Sequence, residues 1–204
     1  MPKTVVRMWS AAPEDLEVRF SGFCLSRQRK SGDFWVADRI ERASGGKNMV
    51  IRRGEERDLT GINRLLEQVL AVHHNGRPDL FKSDTKKYTD EELLAILCDE
   101  KRPVFVASDD DGNVMGYAFC VFTQHFNDNI LTDIRTLYID DLCVDESLRG
   151  KHIGRSLYAY VLEFARREGC YNLTLNVWEC NQGAKRFYEG CGLVPQKTGM
   201  EKIL

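Results

Sequence analysis

Residues 142–154 read LCVDESLRGKHIG, and a long helical pattern follows. A strand-like apolar run ends in a basic, glycine-containing turn, and that turn opens a helix. The first turn of a helix has backbone N–H groups without internal partners, and they carry partial positive charge. Glycine lets a ligand approach that backbone closely, and Arg149, Lys151 and Arg155 add full charges. Such a turn suits a phosphate-bearing ligand. A second cluster, NQGAKRFYEGCGL over residues 181–193, starts 27 residues after Gly154. It predicts a short amphipathic helix capped by Asn181, with Ala184, Phe187 and Tyr188 on one face.

The elements that must position these clusters are legible as periodicities. Val50–Arg53 predicts a short strand. Leu59, Ile62, Leu65, Leu66, Val69 and Leu70 follow helical spacing. Thr89-Asp90-Glu91-Glu92 is a capping box opening a second helix with Leu93, Leu94, Ile96 and Leu97. Strands are predicted over Pro103–Ser108 and Val114–Thr123, joined by a hairpin turn at Asp109–Asn113. A strand over Ile134–Val144 precedes a helix over Ile153–Glu168, ended by Gly169. A strand over Tyr171–Trp178, a helix over Ala184–Glu189 and a last strand region over Leu193–Leu204 complete the order. Strands and helices in this sequence predict one α/β (α+β) domain around a mixed sheet.

The chain has 204 residues, 43% hydrophobic and 29% charged, enough for one well-buried core. No apolar run reaches the roughly 20 residues needed to span a membrane, and no secretory h-region opens the chain. The expectation is a cytoplasmic protein without a membrane partner. A formal charge of −2 argues against bulk nucleic-acid binding. Seven cysteines without a CxxC pair, among them Cys98, Cys120, Cys143 and Cys170 in apolar runs, predict reduced, buried thiols. Charge is uneven: residues 1–48 hold 9 Lys+Arg and 6 Asp+Glu, a net of +3, and the rest hold 20 and 25, a net of −5. An acidic body favours cationic ligands at long range.

Residues 1–48 differ from the remainder. Their apolar residues are scattered, apart from one alternating run at Leu16, Val18 and Phe20. The string Gly45-Gly46-Lys47-Asn48-Met49 is what a purine-rich ribosome-binding site and start codon would spell if translated in frame. Residues 1–48 are therefore expected to be an N-terminal extension, either poorly structured or a start-site artefact, and residues 49–204 the functional domain. Intact mass of the protein from its native host distinguishes a start at Met1 from one at Met49.

The two clusters, in order and with a strand and helix between them, resemble the GCN5-related N-acetyltransferase (GNAT) superfamily. Its cofactor loop reads Arg/Gln-x-x-Gly-x-Gly/Ala, matched by Arg149–Gly154, and its late motif reads Asn-x-x-Ala-x-x-Phe/Leu-Tyr-x-x-x-Gly-Phe/Leu, matched by Asn181–Leu193. The likeness covers Met49 to Leu204. It implies the GNAT fold, a mixed, mostly antiparallel twisted sheet flanked by helices. One departure is His152, where the loop usually carries Gly.

The resemblance implies acetyl-coenzyme A as donor, with its pyrophosphate over the backbone of Arg149, Gly150, Lys151, His152, Ile153, Gly154 and Arg155. The pantetheine arm is expected beside Leu142, Cys143 and Val144, pairing like an added strand, with Asn181 and Ala184 of the late motif at the cofactor. The implied reaction is acetyl transfer to a primary amine by direct attack in a ternary complex. The amine must lose a proton first, a strand N–H near Leu142 or Cys143 meets the developing oxyanion, and Tyr188 is the family's acid for the departing thiolate. Many members carry a basic Glu five residues before the motif Asn, but Asn176 stands there. Asp140 and Asp141 align with a Glu-Asp pair of diamine acetyltransferases and become the base candidates. Asp140 is favoured by alignment, and strand alternation predicts that one of the two points at the acceptor. Glu179 is a third candidate.

The acceptor is expected among the first two helices, their connection and the turn near residue 125. His73 and His74 precede a string, RPDLF over residues 77–81, that also appears in some bacterial GNAT proteins of unsettled substrate. They are candidate substrate contacts, as is His125 with Phe126 and Asn127. No Cys or carboxylate spacing accompanies the His pair, so no metal is expected. The acidic body and Asp140-Asp141 lean toward a small cationic amine. The alternatives are a protein or peptide acceptor, or a non-catalytic coenzyme A-binding sensor, for which His152 and Asn176 speak. A homodimer is an expectation from resemblance.

Overall fold

The computed structural model of the chain describes residues 39–42 and 48–204. The expected strand at Leu16–Phe20 lies outside the described residues. A six-stranded sheet runs in chain order: β1 (Arg39–Arg42), β2 (Asn48–Arg53), β3 (Val104–Asp109), β4 (Val114–Thr123), β5 (Thr136–Val144) and β6 (Asn172–Leu175). Every neighbouring pair is antiparallel except β5 and β6, which are parallel. A parallel neighbour needs a crossover, and α3 (Ile153–Arg167) supplies it. Helices α1 (Leu59–Gly76) and α2 (Asp90–Leu97) stand between β2 and β3, and α4 (Gln182–Gly190) follows β6. The strand β1 falls within the segment read from sequence as an extension, and it pairs along β2 from Asn48 to Ile51.

Strand alternation divides the core into two layers. Ile51, Phe105, Ala107, Ala118, Leu137 and Ile139 pack with Ile153, Leu157, Tyr160, Val161 and Phe164 of α3. Val104, Val106, Val114, Tyr117 and Phe119 face the other way, onto Ile62, Leu65 and Leu66 of α1 and Leu93, Ile96 and Leu97 of α2. The predicted capping box of α2 forms in both directions: Glu92 N–H donates to Thr89 Oγ1 (3.2 Å) and Thr89 N–H to Glu92 Oε2 (2.8 Å). The hairpin turn at Asp109–Asn113 closes through Gly112 at φ 83°. At the end of α3, Gly169 adopts φ 68° while Cys170 N–H reaches Ala165 O, as the predicted glycine stop requires.

Two expectations are corrected. No strand follows β6 among the described residues. The segment expected to be strand at Leu193–Leu204 is irregular, contains Pro195 and Gly199, and leaves Val194, Met200 and Ile203 exposed. It is anchored where Arg77 forks onto Glu201 (2.8 and 2.9 Å). The cysteines also differ from the uniform picture. Cys120 and Cys143 are buried free thiols and Cys170 and Cys191 half-buried ones, but Cys180 is an exposed free thiol and Cys98 is exposed as well. Cys98 caps the C-terminus of α2 one residue beyond the last buried leucine, and that position faces outward.

Candidate active site

The site is built on an irregularity in β5. Its pairing with β4 runs Phe119 to Asp141 and then Cys120 to Ile139, so Asp140 is an extra residue. Such a bulge reverses the parity of everything after it. Ile139 lies in the α3 layer, whereas Asp141 and Cys143 lie on the α1–α2 face. Simple alternation predicted that one of the two carboxylates would face the acceptor. The bulge instead brings both to one ammonium: Lys87 Nζ is 3.0 Å from Asp140 Oδ2 and 3.8 Å from Asp141 Oδ2.

The two carboxylates are not equivalent. The Asp141 side chain is 9% exposed and that of Asp140 27%. Tyr117, fully buried on β4, donates its phenolic hydrogen to Asp141 Oδ2 at 2.9 Å. Burial raises the Asp141 pKa above the usual carboxylate value, Lys87 and Tyr117 oppose that rise, and Asp140 adds to it. A carboxylate made more basic in this way, while still held ionised by a cation, suits a general base. The third candidate, Glu179, is paired with Lys185 at 2.9 Å on an exposed loop, and those hydrogen bonds lower its pKa.

Around the pair stand groups from three other elements. His73 of α1 lies close enough to Asp141 and Lys87 to feel both charges, and burial lowers its pKa, keeping the ring neutral. It packs against Phe81, with centroids 4.9 Å apart. His74 serves differently, its Nδ1 lying 2.7 Å from Phe81 O and fastening the connection after α1. Gly76 closes that helix against the loop after β6, where a Cβ would lie 2.8 Å from Cys180 Sγ. His125 is exposed beside Asp128 on the β4–β5 connection. Tyr188 of α4 is half-buried, and its pKa is raised by burial first and then by Asp141 and nearby thiols. Its phenol therefore keeps its proton across the neutral range.

The pairing of β5 with β6 ends at Ile139 and Leu175. Beyond it, residues 140–144 present one edge that β6 does not cover, where an extended ligand can add as a strand. The edge leads into the basic turn. Asp145 N-caps a short 3-10 turn at Glu146–Leu148, accepting from Ser147 N–H (3.0 Å) and Oγ (2.7 Å), and pairs with Arg64 of α1. Gln68 of α1 accepts the Glu146 N–H. These bonds fix the turn before the helix that follows it. Gly150 has φ 79° and His152 φ 65°, so two left-handed residues lead into α3. Arg149, Lys151, His152 and Arg155 are exposed there, and the first-turn amides of Ile153, Gly154 and Arg155 have no intrahelical acceptor. The residues present fit a pyrophosphate. Asn181 Oδ1 accepts the Ala184 N–H at 3.0 Å and so caps α4, as predicted, which occupies that oxygen and that amide with each other.

Two predictions arise from this loop. The hydrogen bond from Ser147, foremost, and that from Arg64 hold the Asp145 pKa at about 2, below its ordinary 3.8. A depressed carboxylate stabilises the fold above its unfolded pKa and loses that contribution as pH falls through the folded value. The stabilisation is about 2 kcal/mol. Chemical denaturation should show it vanishing between about pH 4 and 2 in the native protein, and Asp145→Asn should remove most of that slope. The left-handed backbone of His152 costs about 1–2 kcal/mol in a residue with a Cβ. His152→Gly removes this strain but adds about 0.5–1 kcal/mol of unfolded-chain entropy. A net gain of about 0.5–1 kcal/mol is expected in the same assay.

Comparison with known proteins bears on the family and the fold. The sequence profile described as the Acetyltransferase (GNAT) family matches residues 69–193. Glucosamine 6-phosphate N-acetyltransferase of Arabidopsis thaliana is 32% identical over 65 residues, spanning 32% of this chain and 42% of that protein. A provisionally named phosphinothricin acetyltransferase of Bacillus subtilis, YwnH, is 26% identical over 147 residues, 71% of this chain and 83% of that one. The crystal structure of a mutant BH1408 protein from Bacillus halodurans has a TM-score of 0.73 at 30% identity, covering 76% of this chain and 98% of that chain. The fold is that of the GNAT proteins, and with a match over more than half of its length the chain belongs to the GNAT acetyltransferase family.

Proposed function

We propose that the protein transfers an acetyl group from acetyl-coenzyme A to the primary amine of a small molecule, by direct attack in a ternary complex. The observation that carries this reading is the convergence of Asp140, Asp141 and Tyr188 on the end of the β5 edge that leads into the basic turn. The turn at Arg149–Arg155 would hold the pyrophosphate, and the edge at Leu142–Val144 the pantetheine arm. Asn181 caps α4 beside them. Bound acetyl-coenzyme A supplies an activated thioester carbonyl. Asp141 would take one proton from the acceptor ammonium, N–H groups near Leu142 and Cys143 would meet the charge that develops on the carbonyl oxygen, and Tyr188 would give its proton to the departing sulfur and be reprotonated by the second proton that the attacking nitrogen loses. The products are the acetamide and coenzyme A.

A small acceptor is supported by the relatives named for glucosamine 6-phosphate and phosphinothricin. A cationic amine is supported by the net charge of −5 beyond residue 48 and by the one negative charge that Asp140, Asp141 and Lys87 leave between them. Incubation with acetyl-coenzyme A and a panel of amines, read by product mass, tests the reading. Acetylation of one or more small amines is the expected result. Acetylation confined to peptides, or none at all, overturns it.

A further inference from the structure

We propose that Lys87 is a positioning residue of this reaction: it bridges Asp140 and Asp141 and so keeps the buried Asp141 carboxylate ionised and aimed at the acceptor. The inference rests on the proposed acetyl transfer and assigns a role that neither sequence motif contains. A carboxylate shielded from water reverts to its neutral form unless a cation or hydrogen-bond donors compensate it. Asp141 is such a carboxylate, with a 9% exposed side chain.

The groups facing it come from every surrounding element. Lys87 and Tyr88 lie on the α1–α2 connection, His73 on α1, Tyr117 on β4, Tyr188 on α4, and Asp140 and Cys143 on its own strand. Tyr117 donates one neutral hydrogen bond. Burial keeps His73 neutral, and the remaining tyrosines and the thiol are weak acids held protonated by burial. Among these described neighbours, Lys87 alone brings a full positive charge.

Lys87 is itself held in place. It stands two residues before the capping box of α2, so its backbone is fixed by a helix start. Its ammonium lies 5.3 Å from the centroid of Tyr88, whose ring stacks on Phe119 at 6.0 Å. Burial alone would lower its pKa, but the two carboxylates outweigh burial and raise it. Lys87 therefore remains an ammonium throughout the working pH range and neither gives nor takes the proton that moves. It acts through Asp141.

The test does not depend on knowing the acceptor. Protein labelled with 13C at aspartate carboxyls is titrated by NMR, with Asp141→Asn assigning the signal, for the native chain, Lys87→Met and Lys87→Arg. The expected result is a rise of about one pH unit or more in the Asp141 midpoint for Lys87→Met, largely reversed in Lys87→Arg. An unchanged midpoint, or an equal rise in both variants, overturns the proposal. For the amine that the panel acetylates, the acidic limb of kcat/KM should move upward with the midpoint while KM for acetyl-coenzyme A stays constant. A shifted carboxyl with an unmoved acidic limb also overturns it. If no amine is acetylated, the acetyl-transfer reading fails while the NMR titration still reports on Lys87, so the two failures are distinguishable.

Discussion

Asp141→Asn is expected to lower kcat for acetyl transfer by about 10²–10⁴-fold, the usual weight of a positioned general base. Asn retains the shape of Asp141 and an oxygen for the Tyr117 hydroxyl, which donates at 2.9 Å, but it cannot accept the amine's proton. The variant should remain folded. Burial raises the Asp141 pKa, so the ionised side chain is disfavoured in the native state and its loss relieves that penalty. Lys87 keeps Asp140 as its nearer partner at 3.0 Å. Steady-state kinetics should show the loss in kcat with KM for acetyl-coenzyme A little changed, since Asp141 is not among the residues of the basic turn at Arg149–Arg155 proposed to hold the pyrophosphate. Asp140→Asn, at the more exposed carboxylate, should cost much less. Equal losses would mean that the pair acts as one base, and a loss under about threefold in Asp141→Asn would remove it from that role.

The second large effect is expected from Tyr188→Phe, with kcat reduced about 10²-fold at neutral pH. The defect should shrink as pH rises. A free thiol has a pKa near 8.5, so above that pH the departing sulfur no longer requires a proton. Tyr188 itself does not set this dependence, because burial and the neighbouring Asp141 charge raise its pKa and it stays protonated across the range. The pH profiles of the native and Tyr188→Phe proteins should therefore converge on the alkaline side. Parallel profiles, separated by a constant factor, would mean that the hydroxyl acts otherwise than as the acid for the departing sulfur.

The features legible in the sequence are those encoded by local rules. The capping box at Thr89, the glycine stop at Gly169, the hairpin turn at Gly112 and the Asn181 cap all form as their residue types predict. The basic turn could be read because strand, glycine and helix adjoin in the chain. The bulge at Asp140 could not be read that way. It exists only in the register between β4 and β5, and it reverses the strand parity that the sequence argument relied upon. Lys87 was missed for the same reason: a lysine two residues before a helix cap has no signature, and only the packing of the α1–α2 connection over β5 brings it to the carboxylates. Tyr117 reads from sequence as an apolar-face strand residue, and its hydroxyl matters only because the bulge turns Asp141 toward it. His152 marked a departure from the loop pattern, and its left-handed backbone gives the physical reason why glycine suits that position. The expected last strand fails where Pro195 and Gly199 interrupt it.

The most direct measurement is a calorimetric titration of acetyl-coenzyme A into the full chain, without any acceptor. The site described here, with its open β5 edge and basic turn, predicts saturable one-to-one binding with a Kd on the order of micromolar, about −8 kcal/mol. Absence of saturable heat would contradict the assignment of the basic turn and the β5 edge to this donor.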